Sequence, residues 1–216
     1  MDENGNDRMI NASTDSKTLR SRFGKVLVVV CGVIAVVFLV SLAFTGIGPL
    51  LRWGPMAILA EYVIWMLYWA PAVTIAPSGV IVRNPAREYE VTWPAIERID
   101  TKYALMLFTA AGAITAWSAP APGRHATMRV AAPELRGLPE STYAAQNSIR
   151  PSDIPSSESG LAALYVRRYW EQLREAGFLD KGIAEGTGVR VHWLRGELSA
   201  LVAVGAVALA AVLFLP

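Results

Sequence analysis

The sequence of 216 residues has little from which a catalytic or metal-binding centre could be built: it contains one cysteine and two histidines. Cys31 has no second thiol to pair with, so an internal disulfide is excluded, and this set of residues does not supply the ligand cluster of a zinc site. The sequence also lacks a phosphate-binding glycine loop, the dinucleotide-binding glycine motif, an HExxH motif and a Ser/His/Asp set. We therefore expect no enzymatic activity, no cofactor and no bound metal.

Charged residues are scarce as well. They make up 18% of the chain and the formal net charge is +2, which excludes the strongly basic surface of an electrostatic nucleic-acid binder. Hydrophobic residues, in contrast, make up 53% of the chain. They are concentrated in three long runs with few or no charges, a distribution typical of membrane spans rather than of one large core.

Three segments are long enough to cross a bilayer, for which about 20 apolar residues are needed. Residues 1–25 form a polar tail that we expect to be disordered and cytoplasmic. Residues 26–73 predict a two-helix transmembrane hairpin with its turn at Arg52-Trp53-Gly54-Pro55, and residues 198–216 predict a third transmembrane helix. The first run is longer than the apolar region of a signal peptide and no clear small-x-small cleavage site follows it, so we interpret it as a retained span.

Glu61 is the only acidic residue of the predicted hairpin and lies about two turns into its second helix. A charged group is costly at membrane depth, so an acid there is a functional-site hypothesis. The alternatives are that Glu61 lies near the interface, is protonated, or pairs with Arg52 across the turn.

After the hairpin, the pattern changes from apolar runs to short alternating segments separated by turn residues. Five short strands are predicted between Val73 and Trp117, with Ala76-Pro77-Ser78-Gly79 as the first turn. Trp93 and Trp117 are the tryptophans of this region. We expect both in the core, and a role as ligand platforms is the alternative.

Three segments of this region, VRNP, VTWPAIERID and TAWSAPAPGRH, follow one another in the sequence. Together with the preceding hairpin, they resemble the bacterial PH-like domain of small actinobacterial membrane proteins, of the low-molecular-weight protein antigen 6 type. The resemblance covers roughly residues 26–124, and Trp93-Pro94 with the segment from Trp117 to Gly123 are its most specific parts. It implies a small PH-like antiparallel β domain over residues 73–124 and supplies no catalytic residue. The third predicted span departs from the two-span order of this family.

The region after the β domain divides into three parts. Residues 125–159 are rich in proline and serine and predict a linker, whose order we leave open. Residues 160–178 predict an amphipathic helix that packs a Leu/Tyr face on the β domain, with Arg167 on the polar face in an i,i+4 pair with Glu171. An interfacial membrane helix is the alternative. Residues 179–197 are read as a connector to the third span.

The distribution of basic residues predicts the orientation of the spans. Four of them precede the first span: Lys17, Arg20, Arg22 and Lys25. The predicted turn after that span has only Arg52, whereas Arg190 and Arg195 precede the third span. Because positive charge is enriched on the cytoplasmic side, we expect a multi-pass protein of the inner (plasma) membrane. Its N-terminus and PH-like domain would be cytoplasmic and its C-terminus outside.

Four cations of the β domain are candidate contacts for lipid or for a protein partner: Arg83, Arg87, Arg98 and Lys102. The first hairpin of the domain has no cation, so we do not expect the phosphoinositide site that PH-type folds suggest. The sequence predicts a non-enzymatic membrane protein that presents a PH-like domain for protein interaction or for assembly of an envelope complex. Membrane lipids and a protein partner, or a second copy of the chain, are the expected contacts. A small transporter or channel component that uses Glu61 is the alternative.

Overall fold

The computed structural model describes residues 16–122, 139, 142, 151–179 and 188–215. It divides the chain into two compact units. The β unit comprises Met1–Leu19, Ala72–Arg83 and Glu88–His192, and the helical unit comprises Arg20–Pro71, Asn84–Arg87 and Trp193–Pro216. We describe each unit separately.

The helical unit contains three long apolar helices. They are α1 (Arg22–Thr45), α2 (Ile47–Ile64, continued by one π-helical turn at Trp65–Trp69) and α4 (Arg195–Phe214). All three are long and apolar enough to cross a membrane, in agreement with the three predicted spans. Ser21 caps the start of α1, where its hydroxyl oxygen accepts a hydrogen bond from the Gly24 amide at 3.0 Å.

The turn between α1 and α2 lies at Gly46, so the prediction of a turn at Arg52-Trp53-Gly54-Pro55 is wrong. Gly46 has a φ of 137°, a conformation that glycine adopts readily and other residues rarely do. The four residues of the predicted turn lie inside α2, including Pro55. Polar and helix-breaking residues resemble a turn in the sequence, but membrane helices tolerate proline where neighbouring groups satisfy the freed backbone.

Close backbone contacts and two hydrogen bonds hold the three helices together. Gly24 of α1 lies against the carbonyl oxygen of Tyr68, and a Cβ atom at this position would overlap that oxygen. The Arg20 guanidinium donates to the carbonyl oxygen of Trp69 at 3.1 Å. The Tyr62 hydroxyl donates to the carbonyl oxygen of Glu197 at 3.1 Å and thereby joins α2 to α4. Small residues and interhelical hydrogen bonds are the usual means of association in lipid, where apolar burial gives no driving force.

The β unit contains two antiparallel sheets. The first sheet has the order β1-β2-β3-β4-β8 and the second has the order β5-β6-β7. The strands of the first sheet are β1 (Lys17–Leu19), β2 (Ala72–Ala76), β3 (Gly79–Arg83), β4 (Arg87–Thr92) and β8 (Val189–Trp193). Those of the second sheet are β5 (Arg98–Asp100), β6 (Ala104–Thr109) and β7 (Gly112–Pro120). A short 3₁₀ turn at Trp93–Ala95 connects the sheets.

Two strands of the first sheet correct the predictions for the tail and the connector. β1 lies within residues predicted to be disordered, and β8 lies within the segment read as a connector. Both are formed by pairing with distant residues: Leu19 is in register with Val73, and the Thr92 amide donates to the Gly188 carbonyl at 3.3 Å. β1 has only three residues and is too short to show alternation, whereas β8 alternates apolar with polar residues but stands alone within the segment read as a connector.

The core of the β unit lies between the inner faces of the two sheets and the helix α3 (Glu158–Glu175). Its largest fully buried side chains include Val73, Val80, Val82, Val91, Leu105, Leu107 and Val166. Burying side chains of this size stabilises a fold by about 1.5–3 kcal/mol each. Trp93 is 2% exposed and stacks on Tyr169 of α3 with ring centroids 4.6 Å apart, which confirms its predicted place in the core.

Helix α3 packs on the β unit as predicted, but Arg167 does not lie on its solvent-facing side. The guanidinium donates to the Asp153 carboxylate at 2.6 Å, and the two side chains are only 5% and 4% exposed. The Thr101 hydroxyl donates to the same carboxylate oxygen at 2.7 Å. The predicted surface pairing with Glu171 is therefore corrected. Asp153 belongs to the segment predicted as a linker, so sequence spacing on the helix could not identify it as the partner.

Removal of the Asp153 carboxylate tests how much the buried pair of Asp153 and Arg167 contributes to the stability of the fold. Asp153→Ala leaves the Arg167 charge buried and unpaired, so we expect a loss of about 3–5 kcal/mol in the free energy of unfolding. Chemical denaturation of the solubilised full chain, followed by tryptophan fluorescence, gives this value. Glu175→Ala is the control, because Glu175 is exposed on the same helix. Its free energy of unfolding should lie within about 0.5 kcal/mol of the wild-type value.

A double variant separates loss of the pair from loss of packing. Asp153→Leu combined with Arg167→Met removes both charges and keeps apolar volume, so most of the lost stability should return. Wild-type stability for the Asp153→Ala variant alone would contradict a structural role for the pair.

Candidate interaction surfaces

The second sheet presents one face to the core and one face outward. Ile99, Leu107 and Ile114 form an inner row across β5, β6 and β7. Because successive side chains of a strand point to opposite faces, the neighbouring positions point outward. We call this surface the outer face: it consists of Arg98, Asp100, Met106, Phe108, Ala113, Thr115 and Trp117.

Two large aromatic residues are exposed at this part of the β unit. Trp117 on β7 is 53% exposed, and Tyr103, in the turn before β6, is 71% exposed. The prediction that Trp117 lies in the core is therefore wrong, whereas Ala116 beside it is buried. The alternation of β7 decides this, because the core accepts the small Ala116 and the opposite position must then face outward. Exposed tryptophan, tyrosine, methionine and arginine are enriched in protein interfaces.

Arg98 and Lys102, two of the four candidate cations, each lie beside one aromatic ring of this region. The Arg98 guanidinium carbon is 3.9 Å from the ring centroid of Phe108, and the Lys102 ammonium nitrogen is 5.1 Å from that of Tyr103. Such cation–π contacts hold a long side chain over an apolar surface. Arg98 thus belongs to the outer face of the second sheet, and Lys102 lies in the turn between β5 and β6.

Arg83 and Arg87, the other two candidate cations, flank the turn between β3 and β4 in the first sheet. Arg83 is half-buried and in register with Glu88. Arg87 is exposed, and its guanidinium carbon lies 3.9 Å from the ring centroid of Trp193. The structure therefore divides the four candidates between two sheets and does not gather them around one ligand.

The first hairpin of the domain, between β2 and β3, has Pro77 and Ser78 at its tip and no cation of its own. Gly79, with a φ of 155°, lies beside it. A cavity of about 350 Å³ adjoins the hairpin and is lined by β3, β4 and the start of β8. Arg190 of β8 lines this cavity opposite Glu90, so a cation distant in sequence lies near the hairpin. Sequence reasoning missed it because it depends on the unpredicted strand β8.

Glu61 lies in α2 and faces α1 at Gly32. A Cβ atom at Gly32 would be 3.4 Å from a carboxylate oxygen of Glu61, so the absence of a side chain leaves room for the carboxyl group. Arg52 and Glu61 stand on one helix, about 13 Å apart along its axis and on opposite sides. The hypothesis that they pair across a turn is therefore wrong.

Metal ligands are not gathered at any point in the described parts of the chain: no group of three or more His, Cys, Asp or Glu residues could hold an ion there. His192 and Glu90 approach each other at 3.7 Å, and both are largely exposed. An exposed pair at this distance contributes little to stability.

Comparison with known families gives one match. Residues 70–151 match the family model described as a bacterial PH domain. The match contains β2 to β7 and leaves out β1, α3, β8 and the three span-length helices. It confirms the predicted resemblance to bacterial PH-like domains for this part of the chain. No curated protein and no solved structure matches the chain.

Proposed function

We propose that the PH-like domain is a non-enzymatic binding module, held at the membrane by the helical unit, that recruits a protein partner through the outer face of its second sheet. The observation that carries this proposal is the exposure of Trp117 and Tyr103, with Arg98 on the same outer face as Trp117. Aromatic residues and arginine dominate the binding energy of protein interfaces, because they bury large rigid surfaces at their centres. Assembly of an envelope complex is the cellular role that this arrangement supports.

The connections between the units support a role that depends on the membrane. Two residues, Arg20 and Ser21, separate β1 from α1, and two residues, Ala70 and Pro71, separate the end of α2 from β2. Leu194 alone separates β8 from α4. A fully extended residue spans about 3.5 Å, so none of these connections is a long flexible linker.

Substitution of Trp117 tests the binding surface. Affinity purification of the full chain from gently solubilised membranes should yield a stoichiometric protein partner or a second copy of the chain, which size measurements distinguish. Trp117→Ala should then raise the dissociation constant at least about five-fold, because a central aromatic contributes more than about 1 kcal/mol. Phe178→Ala is the matched control, since Phe178 is 64% exposed elsewhere on the β unit. Unchanged affinity for Trp117→Ala, or no partner at all, would contradict the proposal.

We also propose that the PH-like domain is cytoplasmic and that the turn at Gly46 lies outside. This orientation follows the excess of basic residues at the ends of the spans that lead to the domain. Because Cys31 is the only cysteine, single-cysteine chains are easily made on a Cys31→Ala background. Ala111→Cys, at the exposed tip between β6 and β7, and Thr45→Cys, at the exposed end of α1, report on the two sides.

The labelling pattern decides the orientation. A membrane-impermeant maleimide should modify the chain with Thr45→Cys in intact cells and the chain with Ala111→Cys only after permeabilisation. The reverse pattern would contradict the orientation, and labelling of both positions in intact cells would contradict a membrane between them.

A second candidate function, a small transporter or channel component, is favoured by the position of Glu61 against Gly32. Gly32 lies near the middle of α1, ten residues after Arg22 and thirteen before Thr45. A carboxyl group at such depth is a candidate ion-binding group. If Glu61 carries ions, reconstituted vesicles should show a proton or cation flux that Glu61→Gln abolishes and Glu175→Gln preserves. A wild-type flux equal to that of protein-free vesicles, or full flux with Glu61→Gln, would exclude this function.

A further inference from the structure

The charges of the helical unit are distributed very unevenly between its two ends. Among the described residues of this unit, five cations lie at the end where α1 and α4 begin: Arg20, Arg22, Lys25, Arg87 and Arg195. Glu197 is the one acid there, so the local net charge is 5 − 1 = +4. At the other end stands Arg52 alone. A concentration of cations beside membrane spans attracts the phosphate groups of anionic lipids.

Two tryptophans mark the level of the membrane interface at this basic end. Trp69 ends the last turn of α2, and Trp193 precedes the first residue of α4 by two positions. Tryptophan prefers the headgroup region, where its ring is partly in contact with apolar chains and its N–H group with polar ones. Each tryptophan is joined to an arginine, since Arg20 donates to the Trp69 carbonyl and Arg87 lies over the Trp193 ring.

The turn between β3 and β4 is fixed to the start of α4. The Leu194 amide donates to the Ala86 carbonyl at 3.1 Å, and the Asn84 amide donates to the Arg87 carbonyl at 2.8 Å. Arg87 places its guanidinium 3.9 Å from the ring centroid of Trp193, and Trp193 is 50% exposed. A guanidinium stacked in this way still has N–H groups at its edge that can donate to phosphate oxygens. Arg195, exposed at the first position of α4, stands two residues from Trp193.

We infer that Arg87, Trp193 and Arg195 form a binding site for the phosphate group of an anionic phospholipid. The phosphate oxygens accept hydrogen bonds from the two guanidinium groups, and the Trp193 ring contacts the upper part of the acyl chains. A lipid rather than a free phosphate is the ligand, because Trp193 lies within two residues of a helix that is apolar enough to cross a membrane. This site is separate from the outer face of the second sheet and does not depend on partner binding there.

Lipid titrations of the solubilised full chain test the site. Dioleoyl-phosphatidylglycerol and dioleoyl-phosphatidylcholine, which share their acyl chains, are added separately, and the bound lipids are counted by native mass spectrometry. The wild-type chain should prefer the anionic lipid. Arg87→Gln should weaken its binding about five-fold and the double variant with Arg195→Gln about 25-fold, at roughly 1 kcal/mol for each cation near the surface. Binding of phosphatidylcholine should not change.

Two further variants control for charge and for folding. Arg174→Gln removes an exposed arginine that lies over another tryptophan, Trp170, on α3 of the β unit, and should bind as wild type does. Arg87→Lys keeps the charge and should retain most of the affinity. All variants should share the thermal unfolding midpoint of the wild-type chain in the absence of added lipid.

Several results would overturn the inference. They are equal affinity of the wild-type chain for the two lipids, wild-type affinity of the double variant, and an equal loss of affinity for Arg174→Gln. Displacement of the anionic lipid by millimolar glycerol 3-phosphate would show a site for soluble phosphates and would overturn the assignment to lipid. Persistence of the lipid under that competition supports it.

Discussion

The covalent continuity between strands and membrane-length helices is the constraint from which most of this structure follows. β1 leads into α1, α2 leads into β2, and β8 leads into α4, each across one or two residues. Three of the five strands of the first sheet therefore begin or end at a span. This fixes one end of the sheet as the end joined to the helices. It also explains why segments as short as β1 and β8 are ordered, since each is held by a helix on one side and by a neighbouring strand on the other.

The strand order decides which loops of the PH-like domain share an end of the first sheet. β2 starts at the joined end of the sheet, so the hairpin at Pro77 and Ser78 lies at the opposite end of that strand. The turn between β3 and β4 returns to the joined end, where Ala86 bonds to Leu194 and Arg87 stacks on Trp193. The cation-free first hairpin and the turn that carries Arg87 therefore lie at opposite ends of the first sheet.

The sequence predicts the elements that depend on local patterns and misses those that depend on distant partners. Three apolar runs, the alternation of β2, β3, β4, β6 and β7 and the amphipathic pattern of α3 are local signals, and the structure contains all of them. The three-residue strand β5 was not among the five predicted strands. The bounds of α2 were wrong because Arg52 and Pro55 resemble turn residues, whereas Gly46 alone provides the required conformation. Membrane helices differ here from soluble ones, in which an interior proline usually ends the helix.

The sequence identifies individual candidate residues, but it does not show which of them lie together in the structure. Arg83, Arg87, Arg98 and Lys102 look equivalent in the sequence, yet the structure places Arg83 and Arg87 in the first sheet, Arg98 in the second sheet and Lys102 in the turn between β5 and β6. Arg87 acquires its aromatic neighbour from β8, more than one hundred positions later, and Arg167 acquires Asp153 from a proline-rich segment. Trp117 was assigned to the core because large aromatic residues are often buried. Only the alternation around Ala116 shows that its side chain faces outward.

The two sheets differ in how they are connected to the membrane-length helices. Strands β1, β2 and β8 of the first sheet are covalently connected to the membrane-length helices. The contact between Arg87 and Trp193 lies next to the start of α4. No strand of the second sheet is joined directly to a span in the described parts of the chain, so its outer face is not tied to the helices by short connections. The contact between Arg98 and Phe108 lies on that face. The same pairing of cation and ring therefore occurs on both sheets, between Arg87 and Trp193 and between Arg98 and Phe108.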